Sequence, residues 1–154
     1  MITAQLTQAP AIARMQVDYS QEMAQLAPQR FRTLTKPDLQ GISKYIIQDD
    51  GDILIATNQS NTPIAYCVLT TATYKESATV IPQRFAYLID LYVAPEARKQ
   101  GHATQLLKDA QAWAKQHQLD FMQLNVLTSN TAARKLYDAA GFKPDYTSMH
   151  LSFN

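Results

Sequence analysis

The stretch FAYLIDLYVAPEARKQGHATQLL (residues 85–107) decides the fold class, because it passes from one kind of element to another through a short basic loop. Phe85–Val93 is a near-continuous apolar run, which predicts a strand in the centre of a sheet. Pro95 and Gly101 bound the loop, and Thr104–Gln116 repeats apolar residues at helical spacing. A strand, a loop and a helix in this order indicate a layered fold with a mixed sheet.

The basic loop predicts an anion site. The first amide groups of a helix lack internal partners, and the helix dipole adds partial positive charge there. A pyrophosphate can accept these hydrogen bonds. Gly101 allows a close approach of the backbone, and Arg98 and Lys99 add charge. The same short pattern also occurs in solvated loops that bind nothing, so by itself it leaves that alternative open.

The rest of the chain completes the predicted order β-α-α-β-β-β-α-β-α-β. The elements predicted upstream of residue 85 are Ile2–Leu6, Pro10–Leu26, a helix opened by Lys36-Pro37-Asp38, Ile53–Ala56 and Ile64–Thr73. Those predicted downstream of the basic loop are the helix Thr104–Gln116, Phe121–Leu127, Asn130–Ala140 and Tyr146–Phe153. This order indicates an α/β fold in the broad sense, with a mixed sheet that is antiparallel early and partly parallel late.

Composition narrows the class of protein. The 154 residues fit a single domain spanning 1–154. A net charge of +1 gives no support to a nucleic-acid or membrane-surface partner. Cys67 is the single cysteine, so neither an internal disulfide nor a zinc cluster is expected. With no signal-peptide pattern and no apolar run long enough to span a membrane, a cytoplasmic location is expected.

A second stretch, LNVLTSNTAARKLYDAAGF (residues 124–142), adds to the evidence from the first. Together the two stretches resemble the hallmark motifs of the GCN5-related N-acetyltransferase (GNAT) superfamily, in the order and at the spacing of that family. The shared features are Val-x-Pro, Arg-x-x-Gly-x-Ala and Leu-Leu in the first stretch, and Asn, Ala, Leu-Tyr and Gly-Phe in the second. The resemblance covers essentially the whole chain. It implies the GNAT-like acyl-CoA N-acyltransferase fold and acetyl-CoA (coenzyme A) as co-substrate, with no metal.

The resemblance also implies where the cofactor lies. In the family, the strand before the loop splays from its parallel neighbour, and the pantetheine arm pairs with the freed backbone groups. The cofactor-binding residues implied here are Leu91, Tyr92, Val93, Arg98, Lys99, Gln100, Gly101, His102, Ala103, Thr104, Asn130 and Arg134. For Asn130 the alternative is simple capping of the last helix, and for Arg134 it is a solvated helix face.

Two catalytic residues are proposed from the resemblance. Tyr137 lies two helical turns after Asn130 and would protonate the leaving thiolate, although a packed core aromatic is the alternative. Asp90 is the candidate for amine binding or proton relay; a carboxylate hydrogen-bonded to backbone is the alternative. Relatives often have Glu-Asp here, but this chain has Ile89-Asp90, so no Glu is available as the base. The weaker candidates for the base are Tyr87 and His150.

The implied reaction is direct attack of a primary amine on the thioester of acetyl-CoA, with the acceptor taken as a small molecule. No covalent enzyme intermediate is needed, and Cys67 is interpreted as a core residue. Two alternatives stay open: acetylation of a protein N-terminus or lysine, and a non-catalytic CoA-binding sensor. By analogy with the family, exposed strand edges also allow a homodimer.

Overall fold

The computed structural model describes residues 1–153 and contains one four-stranded sheet. The strands are β1 (Gly51–Thr57), β2 (Pro63–Tyr74), β3 (Gln83–Val93) and β4 (Phe121–Leu124), and they lie side by side in chain order. β1, β2 and β3 run antiparallel, whereas β3 and β4 are parallel. The predicted mixed sheet, antiparallel early and parallel late, is therefore confirmed.

Helices cover both faces of the sheet. The helices are α1 (Ala9–Leu26), α2 (Leu39–Ile47), α3 (His102–Gln116) and α4 (Thr131–Ala139), with short 3-10 turns at Leu6–Gln8 and Pro95–Ala97. α1 and α2 pack on one face, where Ile12 and Ile42 are buried against β1, β2 and β3. α3 packs on the opposite face through buried side chains that include Trp113. No helix among residues 1–153 is long and apolar enough to cross a membrane.

β3 carries a bulge opposite β2. Val68 pairs with Asp90 and Leu69 pairs with Leu88, so Ile89 is an extra residue in β3. A bulge changes which face of the sheet the following side chains point to. Leu88 and Leu91 accordingly both pack on the α3 side, although a regular strand would place residues three apart on opposite faces.

β3 and β4 separate part-way along their length. They are paired only where Phe85–Leu88 lies beside Phe121–Leu124, while β3 continues to Val93. Within residues 1–153, the part of β3 from Ile89 to Val93 has no strand partner on its β4 side. This separation leaves a notch between the two strands, called the β3–β4 notch below.

Two predicted strands are wrong, so the observed order is α-α-β-β-β-α-β-α. Over Ile2–Leu6, Thr3 forms an isolated bridge with Leu54, and the 3-10 turn that begins at Leu6 leads the chain into α1. Over Tyr146–Phe153 the residues are exposed, and the backbone pairs with no strand among residues 1–153. An alternating pattern gives a strand only where an edge supplies hydrogen-bond partners.

Candidate active site

The basic loop ends in a left-handed glycine that starts α3. Gly101 has φ +87°, which favours glycine, and Lys99 is also left-handed with φ +61°. α3 begins at His102, slightly before the predicted start at Thr104, and its first internal hydrogen bond runs from Gln105 N–H to Gly101 C=O at 2.9 Å. The amides of the first turn of α3 therefore have no partner within the helix, as an anion site requires.

A cleft of about 220 Å³ lies in front of this helix start. Its lining consists of Val93, Ala97, Arg98, Lys99, Gly101, His102, Ala103, Thr104 and Leu136. All but Ala97 and Leu136 were predicted from the sequence as cofactor-binding residues. Leu136 is the residue before Tyr137 in the second motif, so its position in the sequence already pointed to this region.

Arg98 lies at the cleft, and its exposed guanidinium is already paired within the chain. Its Nε donates to the carbonyl oxygen of Val93 at 2.9 Å, and its guanidinium pairs with the Glu22 carboxylate of α1. The guanidinium also lies over the ring of Tyr92, 5.5 Å from its centroid. Arg98 thus fixes the end of β3 against α1 and shapes the cleft. Among the salt bridges formed by residues 1–153, none involves Lys99, so its ammonium is available to an anion.

On β3, the predicted residues Leu91 and Tyr92 can offer only their backbone to a ligand in the notch. The Leu91 side chain packs on the α3 side of the sheet. The Tyr92 ring is buried on the α1 side, edge-on to Tyr19 with 6.2 Å between centroids. Backbone pairing along β3 is the contact that the family resemblance implies.

The other predicted cofactor residues have structural roles here. Gln100 donates to a backbone carbonyl of its own loop at 3.0 Å. Asn130 caps α4 by accepting a hydrogen bond from Ala133 N–H at 3.1 Å, which is the capping role weighed above. Arg134 donates to a backbone carbonyl in the loop before α4 at 3.3 Å. Their contacts with a cofactor remain predictions.

Tyr137 projects from α4 into the layer between α4 and the sheet. Its ring meets Phe142 edge-on, with 5.8 Å between centroids, and packs against the α3-side core. Burial raises the pKa of Tyr137 to about 12, with smaller contributions from Cys67 and Asp90. The phenol is therefore protonated throughout the physiological range and can act as a hydrogen-bond donor but not as a base.

Asp90 follows the bulge in β3. Burial raises the pKa of its carboxyl group from 3.8 to about 6, and the Tyr19 hydroxyl, which favours the charged form, opposes this rise. Because the charge of Asp90 also raises the pKa of Tyr137, the two proposed catalytic groups lie within electrostatic reach of each other. Sequence reasoning missed Tyr19, since nothing distinguishes it from the other core-facing side chains of α1.

The two weaker candidates for the base lie in different surroundings. The Tyr87 hydroxyl accepts a hydrogen bond at 2.8 Å from Asn125, which follows β4 and was not predicted. His150 lies in the exposed segment beyond α4. Cys67 is fully buried, and burial raises the pKa of its thiol, so the interpretation of Cys67 as a core residue agrees with its surroundings.

Comparison with known proteins identifies the family. The profile of the acetyltransferase (GNAT) family matches residues 16–142. The chain belongs to this family. YhfO, an uncharacterised N-acetyltransferase of Bacillus subtilis (strain 168), is 27% identical over 120 residues, covering 76% of this chain and 78% of YhfO. The protein is therefore an acyltransferase, as the resemblance implied.

Solved structures share the fold of this GNAT protein. A single-site mutant of the BH1408 protein from Bacillus halodurans superposes with a TM-score of 0.93 at 19% identity, over 100% of both chains. AAC(6')-Iy, in complex with the bisubstrate analogue CoA-S-monomethyl-acetylneamine, superposes with a TM-score of 0.74 at 18% identity, over 99% of this chain and 96% of that one. At these identities the likeness concerns the fold alone.

Proposed function

We propose that this GNAT protein transfers the acetyl group of acetyl-CoA to a primary amine on a small molecule. One observation carries the proposal: the stretch Ile89–Val93 of β3, which contains Asp90, is unpaired with β4 and ends in the cleft at the free amides of α3. The structure of AAC(6')-Iy with a ligand that joins CoA to acetylneamine supports both the co-substrate and the class of acceptor.

The residues at the start of α3 fit a diphosphate. A Cβ built on Gly101 would meet no atom within 4 Å, so the space in front of the loop is open. The backbone amides of His102, Ala103 and Thr104 provide donors, and Lys99 provides a positive charge. Since these donors are mostly backbone groups, the unusual side chains of this loop do not weaken the fit.

The β3–β4 notch fits an extended amide-containing arm. Among residues 1–153, no strand pairs with the backbone groups of Ile89–Val93 on the β4 side of β3. An arm that contains its own amides can pair with them as an added strand does. Acetyl-CoA supplies an acyl group activated as a thioester, and a free β3 amide near Val93 can donate a hydrogen bond to its carbonyl oxygen.

Asp90 is proposed to bind the amine and accept its proton. An alkyl ammonium has no lone pair to attack with, and its pKa of about 10 makes proton loss to a carboxylate with a pKa of about 6 unfavourable, so the attacking species is the small fraction of neutral amine. The nitrogen becomes far more acidic as its bond to the acyl carbon forms. The carboxylate of Asp90 can then accept the proton directly or through a water molecule.

Tyr137 is proposed to donate a hydrogen bond to the departing sulfur. A thiol has a pKa of about 8.5, well below the value of about 12 for Tyr137, so a free thiolate would not take the proton completely. The phenol therefore stabilises the charge that grows on sulfur rather than acting as a strong acid. Binding and alignment supply the rest of the rate enhancement.

The test is incubation with acetyl-CoA and separate panels of polyamines, amino acids, aminoglycosides and short peptides, followed by thiol release and product mass. Acetylation of a non-peptide amine is the expected result. Turnover with peptides alone would replace the proposal with protein acetylation. Tight CoA binding without turnover of any amine would replace it with the sensor function.

A further inference from the structure

Part of the sheet around β4 is not covered by the helices of the α1 side. The core on the α3 side includes Ala86, Leu88, Met122 and Leu124. Because side chains alternate along a strand, the residues between these four point to the other side of the sheet, where α1 and α2 lie. Among residues 1–153, the core formed by α1 and α2 contains no residue of β4 and none of Gln83–Leu88 in β3. This part of the sheet therefore lies open beside the packed helices.

The open surface, called the aromatic face below, is made of rings and amides. The rings of Phe85 and Phe121 stack nearly in parallel with 4.9 Å between centroids, and the Tyr74 ring lies 4.7 Å from that of Phe85. Of the six residues of the face, Phe85 is buried and the others are partly or fully exposed. The face consists of Tyr74, Phe85, Tyr87, Phe121, Gln123 and Asn125.

Two amide side chains of the aromatic face keep hydrogen-bonding groups free. The Tyr74 hydroxyl donates to Gln123 Oε1 at 2.6 Å, and Asn125 Nδ2 donates to the Tyr87 hydroxyl at 2.8 Å. Within residues 1–153, no side-chain hydrogen bond uses the amide nitrogen of Gln123 or the amide oxygen of Asn125. The face thus offers a donor and an acceptor beside its rings.

The aromatic face leads to Asp90. Asp90 lies on the same side of the sheet, because Leu91 packs on the α3 side and the Tyr19 hydroxyl of α1 acts on the Asp90 carboxyl group. Along β3, Tyr87 lies roughly 7 Å and Phe85 roughly 14 Å from Asp90, once the bulged residue is discounted. An amine held at Asp90 can therefore extend its body over the face.

We propose that the aromatic face binds the body of the acceptor, and that the acceptor is a monoamine carried on an uncharged ring. The inference rests on the proposed acetyl transfer, since Asp90 holds the amine. Rings on the acceptor gain from contact with the rings of the face. The free amide groups suit polar substituents on such a ring. None of the six residues of the face is charged, so a second ammonium or a phosphate finds no partner there.

Matched amines test the class of acceptor. Phenylalkylamines with chains of two to six carbons are compared with n-alkylamines of the same chain lengths and with spermidine. Ligand-observed NMR measures their binding to the CoA complex, and thiol release measures acetylation. We expect kcat/KM to be about tenfold higher for the best phenylalkylamine than for its alkyl counterpart, with spermidine poorer than both.

The outcomes separate this inference from the proposed function. Equal kcat/KM for phenyl and alkyl amines, or a preference for spermidine, would overturn the inference and leave acetyl transfer in place. Phenylalkylamines that bind without being acetylated would overturn acetyl transfer and leave the aromatic face as a binding site. The absence of both binding and acetylation for every amine would overturn both.

Phe121→Ala and Met122→Ala separate the two faces of β4. Both substitutions truncate a half-buried side chain of the same strand, but Met122 packs on the α3 side. Phe121→Ala is expected to raise KM for phenylalkylamines about tenfold with kcat and CoA affinity nearly unchanged, whereas Met122→Ala keeps the parent preference for rings. Melting curves establish that both variants are folded. A preference for rings that survives in Phe121→Ala would contradict the proposal.

Gln123→Glu adds a charge to the aromatic face without changing the size of the side chain. The new carboxylate can still accept from the Tyr74 hydroxyl and gives a second ammonium a partner. We expect kcat/KM for spermidine, relative to that for the best phenylalkylamine, to rise about tenfold. Gln116→Glu, at the exposed end of α3 on the other side of the sheet, should leave this ratio unchanged. The same ratio in both variants would show that the acceptor does not lie over Gln123.

Discussion

The two ends of the sheet differ in how densely side chains are packed around them. The end formed by β1 and β2 is called the filled side below, and the end formed by β4 with α4 is called the open side. Around β1 and β2, side chains such as Ile53, Leu54, Tyr66 and Leu69 are fully buried between helices. Around β4 and α4, the side chains are only partly buried, and the sheet ends in an open edge. The basic loop leads into α3, whose buried side chains pack on the filled side, whereas the open side contains the proposed acid and the β3–β4 notch.

Because of this difference, we expect the two regions to have different functions. A binding site gains affinity from donors held in place before the ligand arrives, which the filled side provides. Chemistry on a bound thioester needs space for the reacting groups, which the notch provides. Changes at the basic loop are therefore expected to act on CoA binding, and changes at the notch on turnover.

Gly101→Glu is the change with the largest expected effect. A side chain at φ +87° is strained, and a carboxylate in the cleft would repel a diphosphate. We expect CoA affinity, measured by calorimetry, to fall by about 100-fold or more, which corresponds to about 3 kcal/mol.

Gly141→Glu is the matched control, because Gly141 is also left-handed, at φ +95°, with open space around it, but lies at the end of α4. Both variants should lose similar thermal stability, while only Gly101→Glu loses CoA binding. Equal CoA affinities in the two variants would show that the start of α3 does not hold the cofactor.

Asp90→Asn is expected to lower turnover by about 10³-fold with little change in CoA affinity, because it removes the proton acceptor. In the parent protein, turnover should rise as pH increases through about 6, where Asp90 loses its proton. The variant should lose this pH dependence. Asp145→Asn, exposed beyond α4, is the control, and a rising limb near pH 6 that survives in Asp90→Asn would exclude Asp90 as its source.

The same substitution has an opposite effect on stability. The raised pKa of Asp90 means that the folded state binds a proton more tightly than the unfolded state. Its contribution to folding is favourable in acid and is lost as pH rises through about 6. Asn resembles the protonated form, so at about pH 8 the variant should be more stable by up to about 3 kcal/mol, and near pH 4 the two proteins should melt alike.

Tyr137→Phe tests the proposed acid on the open side and is expected to have a smaller effect on turnover than Asp90→Asn. The ring and its contact with Phe142 are kept, and only the hydroxyl is lost. We expect turnover to fall by about 10²-fold while CoA affinity and melting temperature stay the same. Tyr146→Phe makes the same change at a position that is 82% exposed and should leave turnover intact. Unchanged turnover in Tyr137→Phe would remove Tyr137 from the mechanism.

The sequence predicted best what local chemistry determines. The helices, the central strand and the loop before α3 follow from periodicity, Pro95 and Gly101, and the structure has them within a few residues. The two failed strands depend on distant partners. Ile2–Leu6 meets β1 at a single bridge, and Tyr146–Phe153 lies outside the sheet in the structure.

The same difference between local patterns and distant interactions applies to the candidate site. Residues in the lining of the cleft were predictable because they lie in one contiguous motif. The bulge at Ile89 and the interaction of Tyr19 with Asp90 were not, since a bulge depends on the register with β2 and Tyr19 comes from a helix far away in the chain. What the sequence could not show is therefore how the acidity of Asp90 is adjusted.

Tyr19→Phe addresses that adjustment and has the smallest expected effect. The Tyr19 hydroxyl favours the charged carboxylate, so its loss should raise the pKa of Asp90 further. The midpoint of the pH–rate profile should move upward, with turnover well above the midpoint reduced only a fewfold. Tyr45→Phe, on a ring of α2 that packs against the same core, is the matched control and should leave the midpoint unchanged. A midpoint that stays in place in both variants would mean that Tyr19 serves packing alone, whereas a downward shift would mean that its hydroxyl favours the protonated acid.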